Sequence, residues 1–278
     1  MATEPSHEYN AQASIISGTL ELPLHHQIVD PSAITLPPSG GYVSMPSPAF
    51  KIGEVISYRS GYTQVAGNRD LKPGHGFSTL VTVVVEGLNV LDVLTADRVV
   101  GQIITEYPLV GSVPKISFLG TRFQNLSIGG HPVKPVLGFG ILGGKPANDG
   151  TYTLDAGVQS RISAQNKSIL ADPNLPDDLR ERYTKLQAKV GQPEELEASL
   201  VDHMDGEHGH PGFGHVIHIP DFGKVTLGKL TLKHENFDTE THAPKKTTVN
   251  LTMIDLELGC AVSGHIPIGT GSSNGGPG

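Results

Sequence analysis

Residues Phe77–Val85 read FSTLVTVVV. Val and Thr are stiff at the first side-chain torsion, fit poorly into a helix and pack well on a pleated sheet. Nine residues without a turn former, apolar on both parities, suit a strand buried on both faces. Working outward, Glu86–Val93 (EGLNVLDV) reads as a corner and Thr95–Tyr107 (TADRVVGQIITEY) as a second strand. Lys115–Leu119 and Arg122–Ile128 add two short strands, and the Gly-Gly pair inside Ser127–Val133 is the kind that closes a hairpin.

The same alternation marks Ala13–Leu24, Ala49–Arg59, Thr151–Ile162, Lys224–Lys233 and Thr247–Val262, the last bending near Gly259. Between them, His25–Pro48 reads as an irregular excursion and Gly61–Gly76 as turn-like. Residues 1–12 read as a flexible arm, and 269–278 (GTGSSNGGPG) as a flexible low-complexity tail.

One region breaks the pattern. In Pro176–Val190, Leu179, Tyr183, Leu186 and Val190 recur at helical spacing. Pro176 suits the first turn, Asp177 and Asp178 suit the positive end of the helix dipole, and Gly191 suits the stop. Pro193–Met204 reads as a second short helix with Leu196, Leu200 and His203 inward. The expected fold class is therefore all-β: an antiparallel β-sandwich or irregular barrel with a helical-hairpin insert near residues 172–204. It forms a single domain over residues 13–268. Crossover helices are missing from the first 170 or so residues, which excludes a parallel α/β sheet.

Composition narrows the function classes. Across 278 residues there are 20 Lys and Arg against 28 Asp and Glu, a net charge of −8 with neutral histidines. A field of that sign counts against nucleic acid and anionic membranes. Trp is absent, which weakens any reading built on aromatic platforms. The single cysteine, Cys260, excludes an intrachain disulfide and reads as a small buried apolar residue in LELGCAV. No transmembrane segment is expected. The polar start MATEPSHEYNAQ points to a cytoplasmic protein, with leaderless export or a removed leader as alternatives.

Glu86–Val100, Ser117–Val133, Pro220–Leu232 and Thr252–Gly264 resemble segments of uncharacterised bacterial β-rich proteins, some called "choice-of-anchor P". The resemblance covers Phe77–Val133 and Gly214–Gly264. It implies an all-β fold and brings no catalytic motif.

Chemistry concentrates in Val201–His218 (VDHMDGEHGHPGFGHVIH). His208 and His210 share a side of an extended chain, and a turn through Pro211–Gly214 could fold His215 and His218 toward them. Asp205 or Glu207 could complete a shell around zinc or another transition metal, with His203 beside it. The bland alternative is a solvated Gly-rich loop with His203 on a helix face, or a pH-sensitive contact made by protonated histidines. His25, His26, His75 and His131 read as polar turn residues. Gly138–Gly144 (GFGILGG) lacks the Lys-Ser/Thr of a phosphate loop and reads as a strand end. No nucleophile elbow occurs, and no spacing selects a carboxylate pair.

The sequence thus favours a non-enzymatic β-scaffold for binding or assembly, with self-association by strand addition and no cofactor expected. The alternative is a metal-dependent enzyme or metal-binding protein using the His203–His218 cluster. A small-molecule ligand is left unnamed.

Overall fold

The computed structural model describes residues 7–22, 25–69, 76–205, 209, 211–259 and 262–277. Two ten-stranded sheets, antiparallel throughout, pack face to face as a sandwich. Of the two architectures expected from sequence, the barrel is not formed.

Sheet I is centred on the hairpin of Phe77–Val90 and Leu94–Tyr107, flanked by Ser60–Arg69 and, beyond it, the edge strand Gly41–Ser47. Sheet II is centred on Gly223–Phe237, Pro244–Gly259 and Ser263–Ser273, with Ala11–Ile16 beside the last. One apolar core lies between them, from Ile15 and Val65 to Val83, Ile103, Leu230, Leu251 and Ile268. Burying a side chain of this class is worth about 1.5–3 kcal/mol.

The long strands do not keep one face inward throughout. In Phe77–Val90 the residues that join the core between the sheets are odd-numbered through Val85 and even-numbered from Leu88, and the change falls at Gly87, whose φ is +63°. In sheet II the switch falls at a row. Gly228 (φ +61°) and Gly269 (φ +67°) flank Met253 on the neighbouring strands. A residue in the left-handed region re-aims the pleat, and glycine takes it without a Cβ clash.

Several sequence expectations are corrected. Ser263–Ser273 is a central strand, so residues 269–277 are not a loose tail, and Gly276–Pro277 pairs with His7–Glu8. The expected arm is likewise ordered over His7–Glu8 and from Ala11. The reason is packing: a Cβ on Gly271 would sit 2.9 Å from Val81 of the opposite sheet, so glycine there permits close approach. Ser60–Arg69 is a ten-residue strand where a turn was expected. The excursion before it holds the edge strand Gly41–Ser47, and Ala49–Arg59 is a hairpin of Phe50–Ile52 and Ile56–Tyr58. The Gly129–Gly130 hairpin is as expected, both residues having positive φ.

The helical hairpin exists but begins earlier than residue 172. Helix α1 is Ala156–Leu170 and helix α2 is Asp177–Lys189. Asp155 caps α1 by accepting from the Val158 amide at 2.9 Å. Val158 and Ile162 join the main core, while Ile169 joins a second small core with Leu175, Leu179, Tyr183, Phe213 and Val216. Pro193–Met204 is not helical: Glu195–Ser199 pairs with Gly223–Phe237, and Val201–Asp205 pairs with Lys134–Leu137. Leu196 and Leu200 satisfy both periods, and burial of Ala198 between them selects the strand.

Candidate functional site

The described part of the histidine cluster does not converge. His203 is exposed on its strand, with Nδ1 2.9 Å from Asp202 Oδ2 and Nε2 3.3 Å from Asp205 Oδ1. The Asp202 hydrogen bond, then the charges of Asp205 and Asp202, hold its pKa above the usual histidine value.

His215 is withdrawn from the expected ligand set. It is 5% exposed, its Nε2 is 2.8 Å from the Tyr183 hydroxyl, and its ring packs edge-on to that tyrosine at 5.9 Å. Desolvation, helped by Arg182, lowers its pKa to about 3, so the ring is neutral. The second core between α2 and Phe213–Val216 draws it under the helices. His218 is half-buried on Val216–Ile219, where it pairs with Lys224. Glu207, His208 and His210 lie outside the described residues, as do His75 and Cys260. Among the described residues, no group of three His, Cys, Asp or Glu converges to hold a metal ion. His131 of the Gly-Gly hairpin lies directly against Gly209 in the middle of this loop.

What the structure does assemble is a cleft of about 490 Å³ beside α1. Its origin is a change of strand partner. Glu195–Ser199 belongs to sheet II, but after Leu200 the chain leaves to pair with Lys134–Leu137. Leu200 sits at the fork, donating to Gly228 O at 2.8 Å and accepting from the Gly138 amide at 2.7 Å. The fork opens a gap, and α1 lies along it.

Helical spacing places Arg161, Ala164, Gln165 and Ser168 on one face of α1, toward the gap. Gln165 fastens the helix to the fork. Its Nε2 donates to Ser199 O (3.2 Å) and Val201 O (3.1 Å), and its Oε1 accepts from the Ser199 amide (2.8 Å). Arg161 donates from Nε to Ile141 O at 2.9 Å and makes no ion pair among the described residues. Gly138 and Gly140 form the opposite wall, and Gly214 with His215 also line the cleft. His215 Nδ1 is buried with no hydrogen-bond partner among the described residues.

A second cleft of about 510 Å³ lies near the paired chain ends, between Tyr9, Asn10 and Lys245–Lys246. Its cations already face carboxylates, Lys245 with Asp238 at 3.6 Å and Lys246 with Glu235 at 3.7 Å. The first cleft therefore presents the stronger unmet interaction.

The alternation of Thr151–Ile162 reads as a strand and hides Arg161, and Gln165 and Ser168 lie beyond it in a stretch that carries no motif. The signal was present: Asp155 is a capping residue, and Val158, Ile162 and Ile169 follow at helical spacing. It was masked by Asn166, a polar residue at an inward position and 2% exposed.

The comparisons place this fold in a family without assigning it an activity. Residues 7–233 match the family described as "Domain of unknown function (DUF8256)", and the chain belongs to it. No curated protein and no solved structure matches the chain. No helix among the described residues is long and apolar enough to cross a membrane.

Proposed function

We propose that this protein is a non-enzymatic β-scaffold that binds a small molecule in the cleft between α1 and the strand fork at Leu200. The cleft itself carries the reading. Its volume falls in the range of small-molecule sites, about 300–1,000 Å³, and polar groups converge on it. Binding is favoured over catalysis because the candidate reactive groups are committed to structure. Ser199 Oγ donates to Leu227 O at 2.7 Å and accepts from the Val201 amide at 2.9 Å, and His215 Nε2 is taken by Tyr183.

The scaffold reading also allowed self-association by strand addition. The edge Gly41–Ser47 is uncharged, but Pro46 lacks an amide donor and interrupts any added ladder. That favours ligand binding over assembly.

The test is cleft filling. Ala164→Trp adds bulk at an exposed helix position on the cleft wall. Native mass spectrometry and thermal-shift screening against a metabolite set should find a ligand for the parent protein that the folded variant no longer takes. A ligand held equally by both, or none held by the parent, overturns the reading.

A second reading gives the 203–210 loop a bound transition metal. It is supported by the pairing of His203 with Asp202 and Asp205, and by His131 lying against Gly209. Elemental analysis of untagged protein should then show near-stoichiometric metal that is lost in His203→Ala. Metal-free protein removes this reading.

A further inference from the structure

We infer that the cleft receives a small molecule bearing an oxyanion, a carboxylate or a phosphate, which docks on Arg161 and on the backbone amides of Phe139 and Gly140. This rests on the binding reading above and names its ligand class.

The glycine-rich run Gly138–Gly144 is the starting point. Gly138–Ile141 is a turn closed by the Ile141 amide donating to Gly138 O at 3.1 Å. Its two central amides, Phe139 and Gly140, donate no hydrogen bond among the described residues. Successive backbone N–H groups in a turn form a concavity that suits anions. Gly140 has open space around its missing side chain, so an incoming group can reach the backbone.

Arg161 is fixed beside this turn. Its Nε bond to Ile141 O uses one of five donors and sets the guanidinium over Gly143 and Gly157, and its terminal nitrogens make no hydrogen bond among the described residues. A planar fork with free donors matches carboxylate or phosphate oxygens better than any neutral group. Asp202, the carboxylate among the described lining residues, is bonded to His203 Nδ1 at 2.9 Å, and Asp155, whose Oδ1 lies with the guanidinium beside Gly157, caps α1; neither makes an ion pair with Arg161.

His215 Nδ1 adds a polar atom at this wall: it is buried without a hydrogen-bond partner among the described residues, and in the tautomer that protonates it, with the Tyr183 hydroxyl donating to Nε2, it is a donor. A donor is again what an oxyanion needs. The chain's net charge of −8 repels anions at long range, so recognition must come from these direct contacts.

The test titrates inorganic phosphate, succinate and the neutral analogue succinamide into the whole protein, read by amide NMR and thermal shift. Phosphate or succinate should move the Phe139 and Gly140 amide signals, and the stronger of the two names the source of the oxyanion. Arg161→Gln should weaken that binding at least about tenfold while its other amide signals stay in place. Arg161→Lys should recover only part of it, because it lacks the fork. If succinamide binds as well as succinate, or Arg161→Gln changes nothing, the ligand class is wrong while the cleft reading stands. If no probe moves those amides and Ala164→Trp displaces no ligand, the cleft reading fails as well.

Discussion

Two glycine-rich stretches look alike in sequence and serve opposite ends. Ser263–Ser273 with its GTGSS run lies at the middle of sheet II, where absent side chains let the two sheets close on each other. Gly138–Gly144 runs along the rim of a cleft, where the space beside Gly140 and Gly144 is open while that beside Gly143 is taken by the Arg161 guanidinium. At Gly271 the missing Cβ is replaced by protein atoms, at Gly140 by open space. Glycine content alone does not separate loose chain from tightly packed chain.

The largest effect expected from this contrast is at the sheet interface. Gly271→Val pushes a branched side chain into Val81 and Ile103, and should cost about 3 kcal/mol in chemical denaturation, overpacking being worth about 1–3. A cost under 1 kcal/mol would mean the sheets are not in close contact there.

The next effect concerns the buried rings that join the helices to sheet II. His215 titrates near its ordinary value of 6.5 when unfolded, and only near about 3 when folded. The unfolded chain therefore binds the proton first, and stability is lost as pH falls below 6.5 toward 3. Between pH 7 and pH 5 the loss should be about 2 kcal/mol from this ring alone. His234, lowered to about 4 by desolvation, acts in the same direction. Stability flat over that range by urea titration would show that neither ring is buried as described.

Tyr183→Phe removes the hydroxyl from His215 Nε2 and leaves both ring nitrogens without a partner. A loss of about 1–2 kcal/mol is expected, read as a lower denaturation midpoint at unchanged slope. The smallest effect belongs to the cleft rim. Gly140→Ala meets open space at an ordinary backbone conformation, so stability should stay within about 0.5 kcal/mol of the parent. A collapse of this variant would erase the distinction between the two stretches.

The strands with β-branched runs were legible in the sequence, because Phe77–Val85 and Thr247–Leu258 carry their preference locally. Helix α2 was legible for the same reason, with Leu179 and Tyr183 on one face and Gly191 (φ +91°) ending it. What failed was whatever depended on a distant partner. Glu195–Ser199 is a strand because Gly223–Phe237 offers it a ladder, and Ser263–Ser273 is ordered because Ala11–Ile16 and Pro244–Gly259 lie on either side. The histidine cluster was visible as composition, but burial of His215 beneath Tyr183 depends on α2 folding back over Phe213–Val216. The cleft was invisible because its parts, Gly138–Gly140, Arg161 and Leu200, meet only where one chain changes partners.

The place of Ala11–Ile16 has a consequence for biosynthesis. Ala11 registers with Ser273 and Ile16 with Ile268, so this strand waits for about 250 further residues before its partner leaves the ribosome. Translation at about 5–20 residues per second leaves it waiting more than about ten seconds with Ile15 and Ile16 uncovered. Fragments that stop before Ser263–Ser273 should leave Ala11–Ile16 without its ladder and be cut rather than protected in pulse proteolysis.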